Sequence, residues 1–206
     1  MIPDLAAEVH DRFIIVNGKH PMTAPDDSYV NDHFVDLGQV CSGRAETPDS
    51  VRQSMLDRTL PLPSYLRSDQ AEMVPPDYFR LADDAGGTGE LPGWFQRHWT
   101  DPHQAAEEWN AYLDGQYVCL REVTPRTIQR KNDVCDSIKR ELSAPQPGSG
   151  AWLRRMHALV DELDALTTQF TEYDRLRFDG PVSRDTLIND VRAKYPKPPE
   201  KETIPE

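Results

Sequence analysis

Apolar residues recur along this chain at steps of three and four, and proline and glycine cut that rhythm into short segments, which predicts a mainly helical fold. Leu5, Val9 and Phe13 share one face of a helix expected over 3–13. The stretch 18–27, with two prolines and Asp26-Asp27, reads as a loop. Phe34, Leu37, Val40 and Cys41 keep helical register across 28–41, up to Gly43, a natural left-handed stop. Thr47-Pro48-Asp49 opens the next helix, because the threonine hydroxyl caps free amides and a proline in the first turn loses no hydrogen bond. That helix buries Val51 and Met55 and runs to Arg58.

Two short helices followed by the extended run Leu60-Pro61-Leu62-Pro63-Ser64-Tyr65 make a helix-turn-helix pattern. A hairpin over 65–74, turning at Ser68-Asp69-Gln70, supplies its wing. Further on, Asp77 to Leu81 reads as a short helix and Ala82 to Gly93 as a flexible loop. Asp101-Pro102 opens a helix with Ala105, Trp109 and Tyr112 as its stripe, stopped by Gly115. Tyr117 to Leu120 is a short buried strand or extended packing. Thr124-Pro125 starts a helix to about Leu142, and 143–150 is a flexible link. Trp152, Met156, Leu159, Val160, Leu163, Leu166 and Phe170 define a helix over 151–170. A last helix spans 183–195, capped by Ser183 and burying Leu187 and Val191. The expected division is an N-terminal helix and loop (1–27), a helix-turn-helix-like region with hairpin (28–82), a flexible loop (83–93), a helical region (94–195) and a disordered tail (196–206). The fold class is therefore mainly α, with a winged helix-turn-helix-like N-terminal half, a small β-hairpin and a helical C-terminal half.

Composition narrows the function classes. The chain has 206 residues, and Lys+Arg 23 against Asp+Glu 35 gives a formal charge of −12. A surface this acidic repels phosphate backbones and anionic lipid, which speaks against nucleic acid or membrane as partner. The helix over 48–58 carries Arg52 and Arg58 against Asp49 and Asp57, too little positive charge for a recognition helix. Three widely spaced cysteines and a start without signal-peptide character lead to the expectation of a cytoplasmic protein with reduced thiols.

Several chemistries lack their motif. Pro92 stands where a dinucleotide fingerprint wants its third glycine, and no Gly-Lys-Ser/Thr occurs. No His-Glu-x-x-His or paired cysteine suggests a metal. What remains is proton transfer by carboxylate or histidine, with aromatics and arginines to hold substrate, and no cofactor. Glu72, flanked by Ala71 and Met73 in the hairpin, is a general-base candidate if buried and an ordinary surface carboxylate if not. Trp94, Phe95, His98 and Trp99 either stack on a planar ligand or form core. Arg175, Arg177 and Arg184 either clamp a substrate carboxylate in bidentate fashion or pin the last helices together through Asp174, Asp179 or Asp185.

The run from Phe34 to Arg184 resembles a family of small actinobacterial proteins catalogued as DUF6058 and associated with natural-product biosynthesis. The matching pieces are the helix-turn-helix-like opening, Leu60 to Tyr65 with Asp77-Tyr78-Phe79, Trp109, Tyr112 to Leu120, and Tyr173 to Arg184. A further similarity, to bacterial Pictet–Spengler enzymes that build β-carbolines from tryptophan and an aldehyde, implies a cofactor-independent homodimer. It also implies a glutamate base beside an arginine and a histidine. On that resemblance Glu72 is the base and Arg44, Arg52 or Arg67 the arginine, while the histidine expected near Leu62 is absent. Substrate binding is expected from Tyr65, Arg67, His98, Trp99, Arg175 and Arg177, with an amino acid or aromatic amine and a carbonyl compound as ligands. The competing expectation is a non-catalytic helix-turn-helix-like regulator or interaction protein in a biosynthetic gene cluster.

Overall fold

Threonine, proline and aspartate place most of the helix starts. A computed structural model describes residues 4–197. Its elements run α1 (Leu5–Asn17), α2 (Ala24–His33), β1 (Val35–Asp36), α3 (Leu37–Cys41), α4 (Pro48–Leu56), β2 (Tyr65–Leu66), β3 (Glu72–Val74), α5 (Arg80–Ala85) and α6 (Leu91–Gln96). They continue as α7 (Pro102–Leu113), α8 (Pro125–Ser143), α9 (Gly150–Leu166), α10 (Glu172–Arg177), a π-helical turn (Asp185–Asn189) and α11 (Asp190–Lys194). Thr23, Thr47, Thr124 and Thr171 each cap their helix in a reciprocal box with the side chain three residues on. No helix among the described residues is long and apolar enough to cross a membrane.

The three strands form one antiparallel sheet in the order β1-β3-β2, with Val35 opposite Val74, Tyr65 opposite Met73 and Leu66 opposite Glu72. Helix, strand, two helices, strand, wing and strand in this order is the winged-helix arrangement, and the wing falls where the sequence places it. Because side chains alternate along a strand, β3 feeds two different cores. Val74 joins a cluster with Val9, Leu37, Met55, Leu62, Phe95 and Trp109, while Met73 packs with Val30, Tyr65, Val118 and Tyr173. A third cluster joins α8, α9 and α11 through Ile138, Trp152, Met156, Val160, Leu163 and Val191.

Several expectations need correction. The loop expected over 18–27 holds the start of α2, since Thr23 and Asp26 form a capping box around Pro25. The single helix expected over 28–41 is broken: Phe34 ends α2, Val35-Asp36 pairs with β3, and Asp36 also caps α3 by accepting from the Gly38 amide at 2.7 Å. The first helix extends four residues past Phe13 to Asn17, and Pro3 lies outside the described residues. The short helix expected over 77–81 starts at Arg80, after a turn. The region read as a flexible loop over 82–93 contributes the buried Ala82 and Leu91 to the core, with Gly86 as a left-handed cap between α5 and α6.

Helix α9 stops at Leu166 rather than Phe170, because Thr167 turns extended to make a β-bridge with Leu120. Tyr117 to Leu120 is thus extended packing with one bridge, fastened where the Thr168 amide donates to the Cys119 carbonyl at 2.7 Å. Asp185, not Ser183, engages the start of the last helix, accepting from the Val182 amide at 3.4 Å. Most of the tail read as disordered, 198–206, lies outside the described residues.

Candidate functional site

A cavity of about 270 Å³ opens where the base of the hairpin, the end of α7 and the segment 117–123 meet. Its geometry begins with two prolines: Pro61 and Pro63 hold Leu62 extended, since each fixes its own φ and biases the residue before it away from helix. The Leu62 amide donates to the Leu113 carbonyl at 2.8 Å and the Ser64 amide to the Met73 carbonyl at 2.9 Å, which ties this segment to α7 and to β3. Gly115 closes the corner with φ +67°, and a Cβ there would sit 2.9 Å from the Pro63 carbonyl oxygen. Only glycine permits that approach.

Phe34, Leu62, Tyr78, Leu81, Val118 and Leu120 supply apolar wall. Tyr78 is buried and donates its hydroxyl to the Pro61 carbonyl at 2.6 Å. Tyr112 is equally deep, yet its hydroxyl has no hydrogen-bond partner among the described residues and is not sealed from solvent-sized space. Burial pushes both phenols well above their ordinary pKa, so both are neutral donors. The nearby charge of Glu72 adds to the shift at Tyr78.

The mouth is polar. His33 stacks on Tyr29 with ring centroids 4.2 Å apart, and its Nδ1 lies 2.8 Å from the Tyr29 carbonyl oxygen. A carbonyl only accepts, so Nδ1 carries a proton and Nε2 is the nitrogen not used in this bond. Arg121 and Asp77 also line the cavity, and neither side chain has an ion pair or hydrogen bond among the described residues. Tyr117 completes the rim, its hydroxyl donating to Glu108, which also accepts from Asn132 at 2.6 Å. Burial raises the Glu108 carboxyl above its ordinary pKa.

None of the catalytic and substrate-binding candidates named from the sequence lines this cavity, although Tyr78, Tyr112 and Tyr117 from the family-like segments do. Glu72 is buried at 4% exposure and sits under α1 and α4. Arg52 grips it through Nε at 2.9 Å and Nη2 at 2.6 Å, and His10 Nε2 lies 3.8 Å away. Of the arginines considered, the structure therefore brings Arg52 to Glu72, and it adds a histidine from α1 that nothing local in the sequence connects to the hairpin. Arg44 instead pairs with Asp83 and Glu46. Arg67 braces the wing, bonding Asp69 at 2.6 Å and Asn31 at 2.7 Å. Tyr65 is core, with its hydroxyl 3.0 Å from Asp174. Trp99 is buried beside Phe95, while His98 is exposed and bonds the Trp94 carbonyl at 2.9 Å.

Arg175 forms a two-point pair with Asp185 at 2.8 and 2.9 Å, which pins α10 to the π-helical turn. Arg177 is 92% buried, at 8% exposure, and donates to Asn17 Oδ1 at 2.8 Å and to the carbonyls of Ser64 and Gly115 at 2.7 Å each. Those two carbonyls belong to cavity walls, so Arg177 shapes the site from behind. No cluster of three or more His, Cys, Asp or Glu side chains suited to a metal ion occurs among the described residues.

The sequence profile of a family of unknown function (DUF6058) matches residues 93–196, a little over half of the chain. The chain belongs to the DUF6058 family. No curated protein and no solved structure matches it. The DUF6058 match takes in Tyr112, Gly115, Tyr117 and Arg121 on one side of the cavity, whereas the hairpin side and the Glu72 group fall outside it.

Proposed function

We propose that the protein is an acid–base enzyme of natural-product biosynthesis that holds a small aromatic substrate in the Tyr78–Tyr112 cavity and uses no cofactor. The cavity carries this reading: apolar walls, one deep hydroxyl without a partner and, at the mouth, an imidazole bonded through Nδ1. Small-molecule sites have this composition, and about 270 Å³ suits a ligand of one or two rings.

The concrete reaction is a Pictet–Spengler-type condensation. An amine adds to an aldehyde, water leaves as the iminium forms, an aromatic carbon closes the ring, and a base removes the proton from that carbon. A base must come within hydrogen-bond reach of the proton it takes. His33 is the histidine on the cavity lining, and with Nδ1 on the Tyr29 carbonyl its Nε2 is the nitrogen left for that task, so His33 is assigned the role. Glu72, with Arg52 and His10, forms a second acid–base group outside the cavity lining, and the resemblance to β-carboline-forming enzymes favours it.

Incubation with tryptophan or tryptamine and a panel of aldehydes should give products with the mass of amine plus aldehyde less water. His33→Gln should lower turnover by about 100-fold or more, the usual weight of a general base, while Glu72→Gln retains it with the fold verified by circular dichroism. The reverse result moves the base to Glu72. Absence of any such product across the panel refutes the reaction.

The winged-helix topology favours a second reading, a DNA-binding regulator. Its recognition helix would be α4, whose exposed side chains are Asp49, Ser50 and Gln53, with the exposed Asp57 at its C-cap. Arg52 is turned in to Glu72, and Arg58 is tied to Asp114 at 3.1 Å and Asn110 at 2.8 Å. A gel shift at low salt is expected to show no complex, and a retained complex would establish the regulator instead.

A further inference from the structure

Arg121 stands out among the charges near the cavity. Ten other arginines of this acidic chain are held in ion pairs, Arg44, Arg52 and Arg175 among them. Arg121 is on the cavity lining with all of its guanidinium N–H groups uncommitted among the described residues. Its own neighbour Glu122 is engaged by Arg80 and so does not neutralise it. Arg121 and His33 are both exposed and both line this cavity. On the same lining Tyr112 is buried, its hydroxyl has no hydrogen-bond partner among the described residues, and Leu62, Leu81 and Val118 add apolar surface.

We propose that this cavity is the binding site of an aromatic carboxylate, with the carboxylate on the exposed Arg121 and a polar ring substituent on the buried Tyr112. The planar guanidinium fork matches a carboxylate in two-point fashion, and the apolar walls favour a flat ring between the anchors. Asp77 on the same lining repels a second negative charge, so the ligand is a monoanion. The inference rests on the cavity being the substrate site and adds the chemical class of what it takes.

Binding can be measured without turnover, by isothermal titration calorimetry on the full chain. The probes are 4-hydroxybenzoate, 4-hydroxyphenylacetate and 4-hydroxycinnamate, each beside its neutral amide. At least one acid should bind about tenfold or more tighter than its amide, the weight of a charge-assisted hydrogen bond. That gap should close in Arg121→Gln, whose exposed position leaves the fold intact. Tyr112→Phe should weaken the hydroxylated acid towards the affinity of its unhydroxylated analogue. Val123→Phe, which narrows the lining, should weaken acid and amide alike. Equal binding of acid and amide, or a gap that survives in Arg121→Gln, overturns the carboxylate assignment and leaves the cavity as a site. Binding undiminished in Val123→Phe, or no binding by any probe, overturns the cavity reading and the assignment with it.

Discussion

Along α8 and α9, Ile138, Met156, Val160 and Leu163 meet in an apolar cluster whose backbone hydrogen bonds run within each helix, and charged pairs such as Arg130 with Glu162 stay at the surface. Around Arg177 the arrangement is inverted. One buried guanidinium joins the end of α1, the Pro63–Tyr65 segment and the end of α7, surrounded by the rings of Phe13, Tyr65 and Phe178 at 5.2 to 6.0 Å. Beside it the buried Asp174 accepts from Tyr65 and Thr171. Helices that pack by periodic stripes interdigitate and leave little space, whereas irregular segments cannot interdigitate and need polar fasteners. The cavity occurs in the second kind of region, because extended proline-bearing segments held by directed hydrogen bonds bridge space that a stripe would fill.

The largest effect that would break this comparison is expected at Arg177. Arg177→Ala orphans two buried acceptors, on Asn17 and Ser64, and the half-buried Gly115 carbonyl, at about 1–3 kcal/mol for each buried one, so a loss of about 3–5 kcal/mol in urea unfolding is expected. Arg130→Ala, at an exposed pair, should cost under about 1 kcal/mol. Equal losses would mean that the junction is no more dependent on its polar fastener than the bundle is on its surface pairs.

A glycine pair sharpens the contrast at the backbone. Gly115→Ala forces an L side chain into φ +67° and against the Pro63 carbonyl at 2.9 Å, which should cost about 1–3 kcal/mol and deform the cavity. Gly150→Ala, at the start of α9, meets only the flexible end of Arg154 at 3.5 Å and should be neutral or stabilising by about 0.5 kcal/mol. Thermal unfolding of the two variants gives the comparison directly.

The smallest effect is in the pH dependence, and its sign differs between two carboxylates. Burial raises the Asp174 carboxyl above its ordinary value, and the bonds from Thr171, the Arg177 charge and the Tyr65 hydroxyl offset this only in part. The native protein therefore keeps that proton to higher pH than the unfolded chain, so this contribution to stability grows as pH falls from the native value toward about 4. Asp185 is lowered, chiefly by its hydrogen bonds from Arg175. Its contribution is present above about 4 and is lost as pH falls through the native value. Urea midpoints measured between neutral and acidic pH should show wild type gaining on Asp174→Asn, and losing its advantage over Asp185→Asn, as the solution is acidified.

Much of the fold is legible in the chain. The stripe of α9, the Thr-Pro starts of α4 and α8 and the hairpin around Ser68-Asp69-Gln70 are local, so each is set by residues a few positions apart. A related capping box, a threonine closed three residues on by an aspartate, marks α2 and α10, a local signal for both helix starts. The break between α2 and α3 was hidden because Phe34 and Leu37 fit a helical stripe, and only the arrival of β3 makes Val35-Asp36 between them a strand.

The candidate site was far less legible. His33, Tyr112 and Arg121 carry no motif, and each gains meaning only through its neighbours in space. Glu72 was distinguishable in the sequence by its apolar flanks, yet its partners come from α1 and α4. What the sequence determined by itself is a set of helices with capped ends, a winged hairpin and an acidic surface, because hydrogen bonding within a helix and alternation along a strand act over short separations. Which charges meet, and where space is left, was decided only by tertiary structure. Arg177 reaches Asn17 across 160 positions of chain, and no local pattern encodes a contact between segments so distant that only packing brings together.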